Sequence, residues 1–403
     1  MRLPFLYSLP PAGHKIPLKS IIRSALEVGR KSGGDWLQII REYLGAKHLL
    51  YLSSGRASLW LILKALSRIN PERREVIVPA YTCPAVASTI LKAGLKPVLC
   101  DNNLDNFGLS GEELAGRVNR EALAVVLVHL FGYPANIVEV QEICRERGVF
   151  LIEDAAQAFG NCLSDSDDSK LGLFGDAGFF SFGRGKPISI MHGGLLVTNS
   201  EEIFDEANKA CQNLNHHGSF QNLRYGLALG SYSLLSNPYM YWISQRVPFL
   251  HLGETIFEPD FVASSGVELA GSLVGRMLGS LEREKEVRQA NSEWYSANLG
   301  DVPWVESVPT ARFPYLRYPL LLKDRKMRDG LLELLMSHGT GAALFYPCPL
   351  NELPGLKGIL KDGSVYPNAK KLSDSLITLP VHSGVTDKLR NRIRSIVQGE
   401  VHN

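Results

Sequence analysis

The sequence of 403 residues lacks an excess of charge of either sign. Its 43 Lys and Arg residues stand against 41 Asp and Glu residues, which leaves a formal net charge of +2. This balance argues against a strongly basic nucleic-acid-binding protein and against an acidic disordered tail. No internal repeat and no extended low-complexity tract is present. A chain of this length can bury a large core without disulfides or structural metals.

Cysteine is also scarce, and no two cysteines form a C-x-x-C pair. This spacing argues against a structural zinc site and against a thioredoxin-type motif. The first residues, with one arginine and two nearby prolines, are not typical of a signal peptide. We therefore expect reduced thiols and a cytoplasmic protein. The six cysteines are Cys83, Cys100, Cys144, Cys162, Cys211 and Cys348.

The stretch from Tyr225 to Gln245 has no charged residue and is long enough to span a bilayer. Asn237 and Pro238 would interrupt a spanning helix. Over residues 225–252 the stretch carries more aromatic side chains than a surface loop normally exposes. Three interpretations of this segment are possible. It packs in the core or in a dimer interface, it docks to a membrane-bound partner or a lipid-linked substrate, or it spans the membrane. Packing near the active site is favoured.

Short apolar runs alternate with helical patterns through the first two hundred residues. The runs do not alternate with polar residues, which favours strands covered on both faces and hence an α/β fold with a mostly parallel sheet. Between two of them, Asn136 and Gly148 mark the expected start and stop of a helix. The strand candidates are Val76–Val78, Pro97–Cys100, Val125–His129 and Val149–Ile152.

The second half indicates a smaller α+β domain. We expect a boundary that places residues 1–262 in a large domain and residues 263–403 in a linking helix and small domain. The acidic stretch 164–169 is interpreted as an exposed loop rather than a metal site. The predicted elements are one or two helices over Val267–Asn298, a strand over Tyr315–Leu322, and helices over Arg325–His338 and Thr386–Gln398.

The segment Ile152-Glu153-Asp154-Ala155-Ala156-Gln157 places a carboxylate at the carboxyl end of a predicted buried strand. In open α/β sheets, ligands bind beyond these strand ends. A carboxylate there needs a cationic or hydrogen-bonding partner. The alternative is that Asp154 caps a helix that begins at Ala155.

A second motif, residues 175–187, leads from a Gly-Phe-Phe-Ser-Phe run into a turn of small residues that carries Lys186. Ser181 can donate to a phosphate. A lysine in such a turn can form an imine with an aldehyde if its pKa is lowered. Lys186 as an ordinary surface lysine is the alternative.

A third motif, Ser53-Ser54-Gly55-Arg56-Ala57-Ser58, opens a helical pattern that runs through Leu66. Free N–H groups at a helix N-terminus bind phosphate, and Arg56 could add a charge. The alternative is an ordinary serine cap. Together the three motifs supply what pyridoxal phosphate requires: a lysine, a carboxylate for its pyridine nitrogen and a phosphate cup.

With these motifs, the sequence resembles the DegT/DnrJ/StrS family of sugar aminotransferases, which have the aspartate aminotransferase fold. The resemblance runs from about Gly33 to the C-terminus and is densest over residues 75–101, 125–160 and 172–199. It implies pyridoxal phosphate as cofactor, a seven-stranded sheet between helices, and a homodimer with its active site at the interface. It also implies an amino-acid donor such as glutamate and a keto-sugar acceptor, in surface polysaccharide or secondary metabolite biosynthesis.

Residue roles follow from the same resemblance. Lys186 matches the imine lysine that also moves the proton, Asp154 the partner of the pyridinium, and Gln157 the residue near the phenolic oxygen of the ring. The phosphate binders match Ser181 and the turn formed by Ser54, Gly55 and Arg56.

Three positions depart from the family pattern. Arg56 stands where a threonine is usual, and Cys83 stands where an aromatic ring usually stacks on the cofactor. The G-x-N-x-R segment that contacts the neighbouring active site has no clear match, and the apolar residues 225–252 lie in its place. A dehydratase of the same family and a cofactor-binding scaffold without turnover remain as alternatives. The dehydratase carries histidine where this chain has Lys186.

Overall fold

The chain folds around two β-sheets, one of seven strands and one of three. The large sheet is built from the first half of the sequence and the small sheet from the last hundred residues. This arrangement confirms the expected α/β class. The computed structural model describes residues 7–13, 16–29, 35–164, 168–245, 257–307, 309, 312–360 and 363–400.

The large sheet has the strand order β1-β7-β6-β5-β4-β2-β3. Strands β3, β2, β4, β5 and β6 are parallel, whereas β7 and β1 at one edge are antiparallel to their neighbours. The four predicted strand runs correspond to β2 to β5, with ends that shift by up to three residues. The bounds are β1 His48–Leu52, β2 Glu75–Pro79, β3 Lys96–Cys100, β4 Ala122–Val128, β5 Phe150–Asp154, β6 Ala177–Ser181 and β7 Gly194–Thr198.

Helices cover both faces of this sheet, which explains the uninterrupted apolar runs. In β2, Val76 and Val78 pack into one apolar cluster while Ile77 packs into another on the opposite face. Gly148 ends α6 with a left-handed conformation, as its sequence position predicts. The helices are α1 Leu18–Gly29, α2 Trp36–Leu44, α3 Gly55–Ile69, α4 Pro84–Lys92, α5 Gly111–Arg117, α6 Ile137–Arg147 and α7 Glu201–Cys211.

The charge-free segment lies in two helices, α8 (Ser219–Leu235) and α9 (Pro238–Gln245), which are separated by Ser236 and Asn237. Among the described residues, no helix is long and apolar enough to cross a membrane. Tyr225 and Leu229 of α8 are buried against the large domain. Residues 246–252 of the apolar segment lie outside the described residues. The side chains of α8 on its outer face are exposed: Phe220, Leu223, Leu227 and Leu234.

The rest of the chain begins with a single long helix, which settles the choice between one helix and two. The three-stranded sheet follows, in the order β10-β9-β8 and antiparallel throughout. The predicted strand over Tyr315–Leu322 begins three residues early, since only its second part pairs. The bounds are α10 Glu268–Leu299, β8 Val305–Ser307, β9 Tyr318–Leu322, α11 Arg325–Ser337, α12 Pro367–Ser375, β10 Leu376–Leu379 and α13 Asp387–Val397.

Candidate active site

Asp154 is the last residue of β5, near the middle of the large sheet, and its side chain is buried. Its Oδ1 accepts a hydrogen bond from the Ala156 backbone N–H at 3.0 Å. Its other oxygen accepts none from the described residues. The chain continues from Ala155 in turns, so Asp154 does not cap a helix. Burial raises the pKa of Asp154, and the nearby positive charge of Lys186 acts in the opposite direction.

The neighbouring residues hold this strand end in place. The Glu153 carboxylate, fully buried, lies 2.9 Å from Nε2 of His129, which follows β4. The backbone N–H of His129 donates to the Asp154 carbonyl at 3.1 Å. Because Nδ1 of His129 accepts a backbone N–H, the ring hydrogen lies on Nε2 and is donated to Glu153. Sequence analysis missed this pair, although both residues lie at the ends of adjacent parallel strands. Glu153 also accepts from the backbone N–H groups of Gly172, Phe174 and Gly175.

Lys186 lies in the turn after β6, next to Gly185, whose φ is +70°. The Gly185 N–H donates to Ser189 Oγ at 3.0 Å, and this oxygen lies 3.0 Å from the hydroxyl of Tyr232 in α8. Helix α8 therefore supports the turn from outside. Lys186 itself is half-buried and has no hydrogen bond or ion pair with any described residue. Its charge opposes the effect of burial on the pKa of both Asp154 and Cys83.

The start of α3 meets the end of β6. Ser54 caps the helix by accepting the Ala57 N–H at 3.2 Å. Position 55 requires glycine, because a Cβ there would lie 2.9 Å from Cβ of Ser181. The N–H groups of Gly55 and Arg56 are in the first turn and have no partner within the helix. The Ser181 hydroxyl accepts the Gly183 N–H and keeps its own hydrogen available for donation. A serine cap and a phosphate cup are therefore compatible.

The Arg56 side chain is engaged elsewhere in this state. Its Nη1 lies 2.6 Å from a carboxylate oxygen of Glu258, and its guanidinium lies 5.0 Å from the ring centre of Phe261. Its charge still opposes the effect of burial on the pKa of Cys83. Arg56 is thus close to the site, although its guanidinium is held by Glu258. Of the segment 253–258, only its last two residues are described.

Gln157 is buried three residues beyond Asp154. Its Oε1 accepts the Phe131 backbone N–H at 3.1 Å, which fixes the orientation of the amide. The amide NH₂ makes no hydrogen bond with the described residues and remains a free donor. A free donor at this place is compatible with a contact to an oxygen of a ligand ring.

Cys83 is the cap residue immediately before α4, in the short connection that follows β2, and burial raises the pKa of its thiol. Its place provides no aromatic ring, but Tyr346 from the small domain lies near it. Burial raises the pKa of Tyr346 well above its usual value, and the charges of Cys83 and Asp154 raise this pKa further. Sequence analysis did not identify Tyr346, since it lies between β9 and β10 in a segment without helix or strand periodicity.

The fold thus brings Lys186, Asp154 and Cys83 together at the carboxyl ends of β2, β5 and β6, with the first turn of α3 beside them. A free amine, a buried carboxylate with one free oxygen and unpaired N–H groups are what pyridoxal phosphate requires. The residues present therefore fit this cofactor. Among the described residues, no group of His, Cys, Asp and Glu is arranged to hold a metal ion.

Similar known proteins identify the family of this chain. The family model described as the DegT/DnrJ/EryC1/StrS aminotransferase family matches residues 35–236 and 267–398. The GDP-perosamine synthase of Vibrio cholerae is 34% identical over 353 residues, which are 86% of this chain and 84% of that protein. The unmatched residues 237–266 include α9, where the sequence departs from the family pattern.

Solved structures share the fold. The Helicobacter pylori protein PseC, described as an aminotransferase involved in pseudaminic acid biosynthesis, superposes with a TM-score of 0.74 at 20% identity, covering 98% of both chains. The E. coli GDP-4-keto-6-deoxy-D-mannose-3-dehydratase, solved with bound hydrated PLP, has a TM-score of 0.75 at 21% identity, covering 97% of this chain and 99% of that one. The chain belongs to the DegT/DnrJ/EryC1/StrS aminotransferase family and is a pyridoxal-phosphate-dependent aminotransferase.

Proposed function

We propose that this enzyme transfers the amino group of an amino acid, glutamate in the first place, to a keto-sugar or a related carbonyl acceptor. The observation that carries the proposal is the unpaired amine of Lys186 beside the buried carboxylate of Asp154. Relatives named as sugar aminotransferases support the acceptor class, among them a dTDP-4-dehydro-2,3,6-trideoxy-D-glucose 4-aminotransferase of Saccharopolyspora spinosa. The biosynthesis of a surface polysaccharide or secondary metabolite is the proposed context.

When bound, pyridoxal phosphate supplies an aldehyde that takes up the amine of the donor and a ring that accepts electrons during proton removal. Lys186 would hold the aldehyde through its amine and, once released, move the proton at the reacting carbon. Asp154 would keep the pyridine nitrogen protonated, because its ionised carboxylate accepts a charge-assisted hydrogen bond in a poorly hydrated place. Gln157 would donate its free amide NH₂ to the phenolic oxygen.

The phosphate would lie at the first turn of α3. The N–H groups of Gly55 and Arg56 and the hydroxyl of Ser181 converge there, and the N-terminal end of the helix dipole favours an anion. Ser54 would act as the cap that orders this turn, and Cys83 would contribute packing rather than a stacked ring.

The quaternary and cellular context is proposed on the resemblance to the family. The enzyme would be a cytoplasmic homodimer with its active site at the subunit interface, and its domain boundary would lie near residue 262. Light scattering of the holoenzyme tests the dimer, and a monomeric holoenzyme would contradict it.

The proposed reaction is tested by the absorbance of purified holoenzyme before and after addition of L-glutamate. Because the donor amine is taken up by the cofactor, we expect the band of the lysine-bound cofactor to be replaced by that of the aminated cofactor, and 2-oxoglutarate to reverse the change. An unchanged spectrum with every amino donor would favour a cofactor-binding scaffold. A dehydratase is disfavoured by the lysine at position 186.

We propose that the Arg56 guanidinium exchanges Glu258 for the cofactor phosphate when the cofactor binds. Replacement of Arg56 by alanine is then expected to weaken cofactor affinity roughly 10-fold or more, because a charge-assisted hydrogen bond contributes about 1.5–3 kcal/mol. Titration of apoenzyme with pyridoxal phosphate measures this, and the Michaelis constant for the donor should change less. Glu258→Gln is the matched control, because it removes the ion-pair partner and leaves the guanidinium. Equal weakening in both variants would show that Arg56 acts only through Glu258, and a larger effect on the donor would assign Arg56 to substrate binding.

A further inference from the structure

Arg317, a residue that sequence analysis did not identify, lies directly before β9 in the small domain and reaches the turn that carries Lys186. A Cβ built on Gly185 would lie 3.4 Å from Nη2 of Arg317, so the guanidinium borders the residue next to Lys186. On its other side the guanidinium lies 5.6 Å from the ring centre of Phe345. The small domain thus places one cation at the edge of the candidate active site.

This cation is not neutralised by the described part of the chain. The Nε of Arg317 is buried and has no hydrogen-bond partner, and no described carboxylate forms an ion pair with the guanidinium. Burial lowers the pKa of Arg317, and among the described residues the phenols of Tyr241 and Tyr346 act in the opposite direction. A poorly solvated guanidinium without an anion is costly, and a planar fork of donors matches a carboxylate.

We propose that Arg317 binds the carboxylate that lies next to the reacting amine of the amino donor. This inference rests on the proposed function and adds the residue that recognises the donor. The donor amine must approach the place where the Lys186 amine lies, and its carboxylate is attached to the same carbon as that amine. A cation that borders Gly185 therefore lies beside the turn from which the Lys186 side chain extends.

The other anion of the reaction has a different place. The proposed place of the cofactor phosphate is the first turn of α3 with Ser181, whereas Arg317 comes from the small domain and borders Gly185. The reacting ring of a keto-sugar acceptor presents neutral hydroxyl groups around its carbonyl. Because the Nε of Arg317 is buried, a charge-assisted pair at this guanidinium is weakly screened by water.

The test compares the donor half-reaction of wild-type holoenzyme with that of Arg317→Met and Arg317→Lys. The apparent dissociation constants of L-glutamate and of L-glutamine are measured from the absorbance change of the cofactor, and that of glutarate, which cannot react, by competition. We expect Arg317→Met to weaken both amino acids and glutarate roughly 10- to 100-fold, with a smaller change in the rate at saturation. Arg317→Lys should recover part of the affinity.

Arg312→Met is the matched control, since Arg312 is an exposed arginine of the same segment that lies 3.6 Å from Glu293. It should bind the donors as the wild type does. Wild-type donor affinity in Arg317→Met, or weakening of L-glutamate alone, would overturn the assignment. If Arg317→Met does not fold, the wild type is treated with phenylglyoxal, which modifies arginine, with and without glutarate. Protection of Arg317 by glutarate supports the proposal, and equal modification in both samples contradicts it. If no amino donor changes the spectrum of the wild type, the proposed function is refuted. Protection of Arg317 by glutarate still tests the role of Arg317 in that case.

Discussion

Replacement of Lys186 by alanine is expected to abolish amino transfer and to remove the borohydride-reducible attachment of the cofactor. The side chain has no described partner that would give it a structural role, and its charge lowers the pKa of Asp154. A positioned acid–base group alone contributes on the order of 10²- to 10⁴-fold in rate. Loss of covalent attachment adds to this effect, so turnover should fall by at least this factor.

The measurement combines steady-state amino transfer with borohydride reduction of the wild type and peptide mapping. The reduced cofactor should be found on the peptide that contains Lys186. Lys209→Ala is a suitable control, because Lys209 is exposed and paired with Glu206 on the surface. A cofactor label on any lysine other than Lys186 would refute the mechanism as a whole.

The second large effect is expected for Asp154→Asn. Asparagine has nearly the same shape and keeps an oxygen for the Ala156 N–H, so the fold and cofactor binding should persist. It cannot hold the pyridine nitrogen protonated through an ionised acceptor. Loss of a hydrogen bond to a charged group, about 1.5–3 kcal/mol, predicts a decrease in turnover of roughly 10- to 150-fold.

Cofactor content and turnover are measured on the same preparation of this variant. Asp176→Asn is the matched control, because the carboxylate of Asp176 accepts the Leu151 N–H at 2.7 Å just before β6 begins, at the other end of the strands. It should lower thermal stability with little change in turnover per bound cofactor. Turnover near the wild-type value in Asp154→Asn would remove the pyridinium role from this residue.

The exposed stripe of α8 bears on the three interpretations of the apolar segment. Its inner residues Tyr225 and Tyr232 contact the region after Lys186, through the Ile190 carbonyl and through Ser189. The segment therefore packs beside the candidate site, while Phe220 remains 72% exposed on the outer face. The contact between α8 and the Lys186 turn is a property that the composition of the segment did not specify.

Much of the fold could be predicted from the sequence. Strands covered on both faces have continuous apolar runs, so β2 to β5 and the parallel sheet followed from periodicity. The antiparallel pairing of the edge strand β1 with β7 did not, because these partners lie about 150 residues apart in the chain. Likewise, Asp154 and Lys186 could be predicted as site residues, because Asp154 ends a predicted buried strand and Lys186 lies in the small-residue turn that follows β6.

What the sequence by itself determined is the set of local motifs and the sheet that gathers them at one edge. Only the tertiary structure decided which side chains share the site and which are engaged elsewhere. Arg56 pairs with Glu258, which lies about two hundred residues away in the chain, and Tyr346 and Arg317 arrive from the small domain. Such contacts depend on the packing of distant segments, and no periodicity or spacing along one segment records them.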